Sequence, residues 1–158
     1  MSSGFVLWLA FGIGFVCGLR SLTGPAVVAW AARLGWIHLA GTRVAFMGSK
    51  WAVGIFTILA LIELGTDQLP TTPARTAPAG LSARILMGLL TGACLAVAGG
   101  TSLVVGACTS AVGAIAGTFG GYRTRVGLVR ALNVPDVAIA IPEDLIAIGL
   151  GLLFVTRF

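Results

Sequence analysis

The chain has 158 residues, 58% of them hydrophobic and only 9% charged, with a mean hydropathy of +1.04. A soluble domain carries about 25% charged residues, so this chain is too poor in charge to cover itself with a water-soluble surface, and lipid is its expected solvent. The net charge of +5 comes from basic residues at the ends of apolar runs rather than from a stripe interleaved with aromatics, which points to anionic lipid headgroups and away from nucleic acid.

In chain order, the first apolar run predicts a membrane span over 4–19. No Lys or Arg precedes it and no convincing cleavage site follows, so it reads as a span rather than a signal peptide. Arg20, Ser21, Leu22, Thr23, Gly24 and Pro25 come next. Thr23 suits a helix N-cap and Pro25 a first helical turn, which predicts a helix over 25–34. That helix is apolar apart from Arg33, so it is expected to lie in the interface or to re-enter the membrane, with Trp30 and Trp36 at interfacial depth.

A second span is predicted over 44–64, with Glu63 near its end. Asp67, Pro70, Pro73, Arg75 and Pro78 then mark a polar loop in which no regular helix can continue. A third span over 81–98 carries Arg84, Gly88 and Gly92. Gly99, Gly100 and Thr101 form a tight turn into a fourth span over 102–121, with Gly113, Gly117 and Gly121. An amphipathic stretch over 122–132 carries Arg123, Arg125 and Arg130, and Asn133 and Pro135 end it. The fifth span, 137–155, contains Glu143 and Asp144 just after Pro142. The expected fold is therefore all-α: one polytopic domain over 1–158 with five membrane spans and two amphipathic or re-entrant helices.

The segment from Gly14 to Arg20 recurs from Gly117 to Arg123, each copy an apolar run with two glycines four apart, ending in arginine. Counting three crossings from the first span to the fourth makes the copies point in opposite directions. That predicts an inverted-topology repeat, as in many transporters, with one repeat over 4–66, a connecting span over 81–98 and a second repeat over 102–158. On this count Arg20, Arg33, Arg43, Lys50 and Arg157 share one face, and Arg75, Arg84, Arg123, Arg125 and Arg130 the other. The absence of a bias leaves the orientation unassigned.

Several residues are candidates for chemistry. Gly14, Gly18, Gly113, Gly117 and Gly121 make smooth helix faces for packing within the protomer or in a homodimer; lining a narrow pore is the other use. Arg20 and Arg123 either snorkel to headgroups or bind substrate. In the second case Arg20, Ser21 and Thr23 beside a helix N-terminus make an anion site, with Arg123 as its counterpart. Glu63 with Arg84, and Glu143 or Asp144 with Arg123, are expected ion pairs or proton-coupling groups. Cys17, Cys94 and Cys108 lie in apolar runs without metal spacing, and His38 stands alone, so neither a metal, a cofactor nor an enzymatic signature is indicated.

Taken together, Gly18 to Pro25, Glu63 through the proline-rich loop to Pro78, Gly117 to Arg123, Pro135-Asp136 and Glu143 to Ala147 resemble the bacterial membrane family catalogued as domain of unknown function 4126. The resemblance covers nearly the whole chain. It implies a small multi-pass protein of the bacterial cytoplasmic membrane and attaches no activity. From the residues, the expected function is a small transporter or channel for an anionic solute, or one coupled to protons. The alternatives are a non-catalytic subunit or scaffold of a larger membrane complex and a lipid-handling protein. The expected partners are membrane lipids and a second copy of the chain.

Overall fold

The computed structural model describes residues 1–66 and 76–158, so Asp67, Pro70, Pro73 and Arg75 of the expected polar loop lie outside the described residues. The helices are α1 (Ser3–Leu19), α2 (Thr23–Arg33), α3 (Lys50–Thr66), α4 (Pro78–Ala98), α5 (Leu103–Leu132) and α6 (Asp136–Val155), with a 3-10 turn at Ala45–Gly48 before α3. No strand occurs among the described residues. α4, α5 and α6 are each long and apolar enough to cross a membrane, while α1 is apolar but only 17 residues long.

Local chemistry sets the helix ends. The Phe5 N–H donates to Ser2 Oγ at 3.4 Å, capping α1. Pro78 opens α4, where its missing N–H has no helical partner to lose. α5 stops at Asn133, whose φ of 50° is the left-handed turn that ends a helix.

Glycine decides the core. A Cβ on Gly14 would strike the Ser110 carbonyl oxygen, one on Gly18 would strike Ala114, Gly117 and Thr118, and one on Gly117 would strike Phe15 and Gly18. Backbone therefore meets backbone along α1 and α5. The expected packing faces at Gly14, Gly18, Gly113 and Gly117 are used inside the protomer, and no longer point to a second copy. Gly88 and Gly92 lay α4 on α5 near Ala114, Ser110 and Gly106 in the same way.

These contacts overturn the expected inversion. Along α1 and α5 the paired residue numbers rise together, Gly14 with Ser110 and Gly18 with Gly117, so the two glycine–arginine segments run in the same direction. α4 and α6 run against them: Cys17 Sγ lies 3.5 Å from Thr91 Oγ1 while Val6 lies against Gly99, and Phe154 packs on Gly12 while Asp144 reaches Arg20. The expected count failed at α2, which does not lie flat in the interface. It is largely buried and turns back along the bundle, antiparallel to α3, with Trp30 Nε1 donating to Thr57 Oγ1 at 3.0 Å. That extra reversal changes the parity. The copies also differ locally. The chain breaks after Arg20, where Ser21, Thr23 and Pro25 follow, but runs unbroken through Arg123, so the expected second amphipathic helix is simply the last turns of α5.

Helical rise gives the depth of the break. At 1.5 Å per residue, the contacts of Gly18 with Ala114 to Thr118 put Arg20 about 22 Å along α5, near its middle. Asp144, its partner, lies about 12 Å into α6. Arg20 thus lies away from Arg33, Arg43, Lys50 and Arg157, near mid-length of α5, with α1 arriving and α2 departing there.

Candidate functional site

A helix that begins inside a bundle exposes N–H groups with no helical acceptor, and lipid offers none. The α2 N-terminus has no side-chain cap of its own: Leu22 holds the cap position and Thr23, the expected cap, is the first helical residue. Glu63 of α3 supplies the acceptor. Its carboxylate accepts from the Ser21 N–H at 2.8 Å, the Leu22 N–H at 2.8 Å and the Ser21 hydroxyl at 2.6 Å. Of the residues expected to bind a solute anion, Ser21 thus meets a carboxylate of the chain itself, that of Glu63. This replaces the expected Glu63–Arg84 pair; Arg84 is buried and donates from Nη1 to the Gly80 carbonyl at 3.0 Å.

Arg20 is fully buried. It does not snorkel to a headgroup. Its Nε donates to Asp144 Oδ1 at 2.5 Å, and Nη2 contacts the same oxygen. A buried positive and a buried negative charge thus cancel locally, beside the Glu63 carboxylate held on the backbone dipoles of α2.

Arg123 is exposed and joins neither Glu143 nor Asp144. Arg125 does what was expected of it. Arg125 Nε donates to Asp136 Oδ1 at 2.8 Å, Nη2 pairs with Asp136 Oδ2, and Nη1 reaches Glu143 Oε2 at 3.4 Å. Helix phase explains the exchange. Residues two apart lie roughly 200° round a helix, and the buried ladder Gly113, Gly117, Gly121 continues at the same spacing to Arg125, not Arg123. That four-residue spacing was readable in the sequence and identifies the residue missed. Glu143 and Asp144, expected to share one arginine, divide between Arg125 on α5 and Arg20 on α1.

Two cavities flank the site. One of about 310 Å³ lies between α1, α5 and α6 and is lined by Phe15, Leu19, Gly121, Thr124, Arg125 and Glu143 among others. The second, about 180 Å³, lies between α2, α3 and α6 against Trp30 and Thr57. Both are mainly apolar; in the first, Arg125 and Glu143 make the charged wall. Among the described residues no three His, Cys, Asp or Glu side chains gather as a metal site would require. No family model, curated protein or solved structure matches the chain. The site's chemistry must therefore be read from its own groups: a buried ion pair, a carboxylate on a helix N-terminus, and the ion cluster of Arg125 with Asp136 and Glu143.

Proposed function

We propose that the chain is a small multi-pass membrane transporter in which α3, α4, α5 and α6 cross the bilayer and the α1–α2 pair enters to half depth and returns. The observation that carries this reading is the chain break at Arg20–Leu22, at mid-length of α5 and closed by Asp144 and Glu63. Irregular backbone at such depth is tolerated only inside protein or beside a cavity, and discontinuous helices of this kind carry the substrate and ion sites of many transporters. Charged groups there are costly to insert, about 2.5–3.5 kcal/mol each on insertion scales, so retaining them argues for use.

The chemistry favours proton coupling. Protonation of Glu63 turns a carboxylate into a neutral acid and weakens its hold on the Ser21 and Leu22 N–H groups. A solute anion can then replace it at the α2 N-terminus, with Thr23 and Arg20 alongside. Binding of the anion and uptake of the proton are thereby linked, and Arg123, exposed on the far face of α5, has no part in it.

Purified protein in liposomes tests the reading. With a pH gradient and acetate, succinate or phosphate supplied, wild type is expected to dissipate the gradient faster than empty vesicles, and Glu63→Gln to lose that gain while eluting as folded protein. Wild-type vesicles no faster than empty ones with every anion would reject transport. A second reading, a lipid-handling protein, is favoured by the cavity of about 310 Å³ with its single charged wall; phospholipid retained through detergent exchange, and lost in Leu128→Trp, would support it.

A further inference from the structure

We infer that the buried Arg20–Asp144 pair is reached by protons from one end of the bundle only, along Asp136, Arg125 and Glu143, and is sealed from the opposite end by the apolar core. This rests on the mid-depth polar centre proposed above and adds to it the route and its sidedness.

Burial along the route sets in at one step, between Asp136 and Arg125. The side chain of Asp136 is 59% exposed, those of Arg125, Glu143 and Asp144 are 10%, 11% and 12% exposed, and Arg20 is 0%. The first three groups are also linked by contacts. Asp136 holds Arg125 through both carboxylate oxygens, Arg125 reaches Glu143 at 3.4 Å, and Glu143 is followed directly by Asp144. The cavity of about 310 Å³ lies beside Arg125 and Glu143. Its wall is apolar apart from Thr124, Arg125 and Glu143. Pro142 lines the same cavity and has no N–H to donate to the carbonyl one turn back.

The other end offers no such ladder. Between Arg20 and the α4–α5 turn the interior is Leu9, Ile13, Val16, Val28 and Leu95, each 2% exposed or less. The buried hydroxyls at that level, Thr91 and Ser110, are uncharged, and Thr91 bonds back to its own helix at Met87 and Gly88. The described carboxylates, Glu63, Asp136, Glu143 and Asp144, all lie at the level of Arg20 or on the Asp136 side of it. Among the described residues, the buried or partly buried charged groups on the elements packed around the pair are Glu63 on α3, Arg84 on α4, Arg125 on α5 and Glu143 on α6.

The step balances simply. A hydronium ion gives its proton to a Glu143 carboxylate oxygen and leaves water behind; that O–H then breaks as a new O–H forms on Asp144, the next residue along α6. Arg20 keeps its charge, so the centre gains one positive charge. The proton leaves by the reverse path unless the helices rearrange.

Thiol accessibility in a full-length background with Cys17, Cys94 and Cys108 replaced by alanine tests this. The probe is a charged, membrane-impermeant methanethiosulfonate applied to right-side-out and to inverted vesicles. Glu143→Cys, and Thr124→Cys on the cavity wall as a variant outside the ion pairs, are expected to react at least tenfold faster from the side of the α5–α6 connection. Ile13→Cys and Leu95→Cys are expected to stay unreactive from both sides. Equal reaction of Thr124→Cys from both sides, no reaction from either, or labelling of Ile13→Cys from the far side would overturn the route. Accessibility does not depend on flux: one-sided labelling without flux would reject transport and keep the route, and flux with a sealed Thr124→Cys would do the reverse.

Discussion

Replacing Asp144 with asparagine removes one charge from the centre while keeping its shape. Asp144 receives both Nε, at 2.5 Å, and Nη2 of an arginine that has no exposed surface. Breaking a buried pair by neutralising one member typically costs about 3–5 kcal/mol, because the other charge is stranded. A direct Coulomb estimate agrees: two unit charges about 4 Å apart at an effective dielectric near 20 attract by about 4 kcal/mol. Asparagine can still accept one hydrogen bond, so the lower end, about 3 kcal/mol, is expected. Arg20→Met should cost a similar amount. The double variant Arg20→Met/Asp144→Leu strands no charge, so it should cost less than either single change, a coupling of at least about 2 kcal/mol. Equilibrium unfolding in detergent or bicelles measures all three. A loss below about 1 kcal/mol for Asp144→Asn, or single losses that simply add in the double variant, would refute a closed pair and mean that Arg20 finds water or headgroups.

The same unfolding assay separates two classes of glycine. Gly18→Ala places a methyl against the Ala114, Gly117 and Thr118 backbone, which cannot move aside, so it should cost about 1–3 kcal/mol. Gly120→Ala has nothing within 4 Å and should be neutral or stabilising by up to about 1 kcal/mol through helix propensity. Between the two arginines of α5, Arg123→Ala should change stability by no more than about 0.5 kcal/mol. Arg125→Ala should cost about 2 kcal/mol, below the fully buried range because Asp136 stays largely in water. Equal losses for the two would show that Arg125 does not hold α6 to α5.

Much of the secondary structure was legible without coordinates. The expected spans 4–19, 81–98 and 137–155 match α1, α4 and α6 to within a few residues, because apolar runs, Pro78, Asn133 and Pro135 act locally. Membrane character followed from composition alone, since too few charges remain to face water. The glycine ladder marked close helix contacts but not their partner, which is α1 against α5 within one protomer. Which arginine of α5 faces inward could have been read by carrying the four-residue spacing one step further, from Gly121 to Arg125.

The direction of the two glycine–arginine segments could not be read in this way. It turned on whether the stretch after Pro25 lies along the membrane surface or folds back into the bundle, and both options suit its apolar face and its proline. What decided it was a carboxylate 42 residues away: Glu63 accepts the N–H groups that the break at Ser21 and Leu22 would otherwise leave bare inside the bundle. Local patterning thus determines where helices start and stop, because the chain's neighbours supply those signals. The pairing of Arg20 with Asp144, and with it the return of α2, belongs to contacts between segments distant in the chain, whose energies appear only when the whole bundle closes.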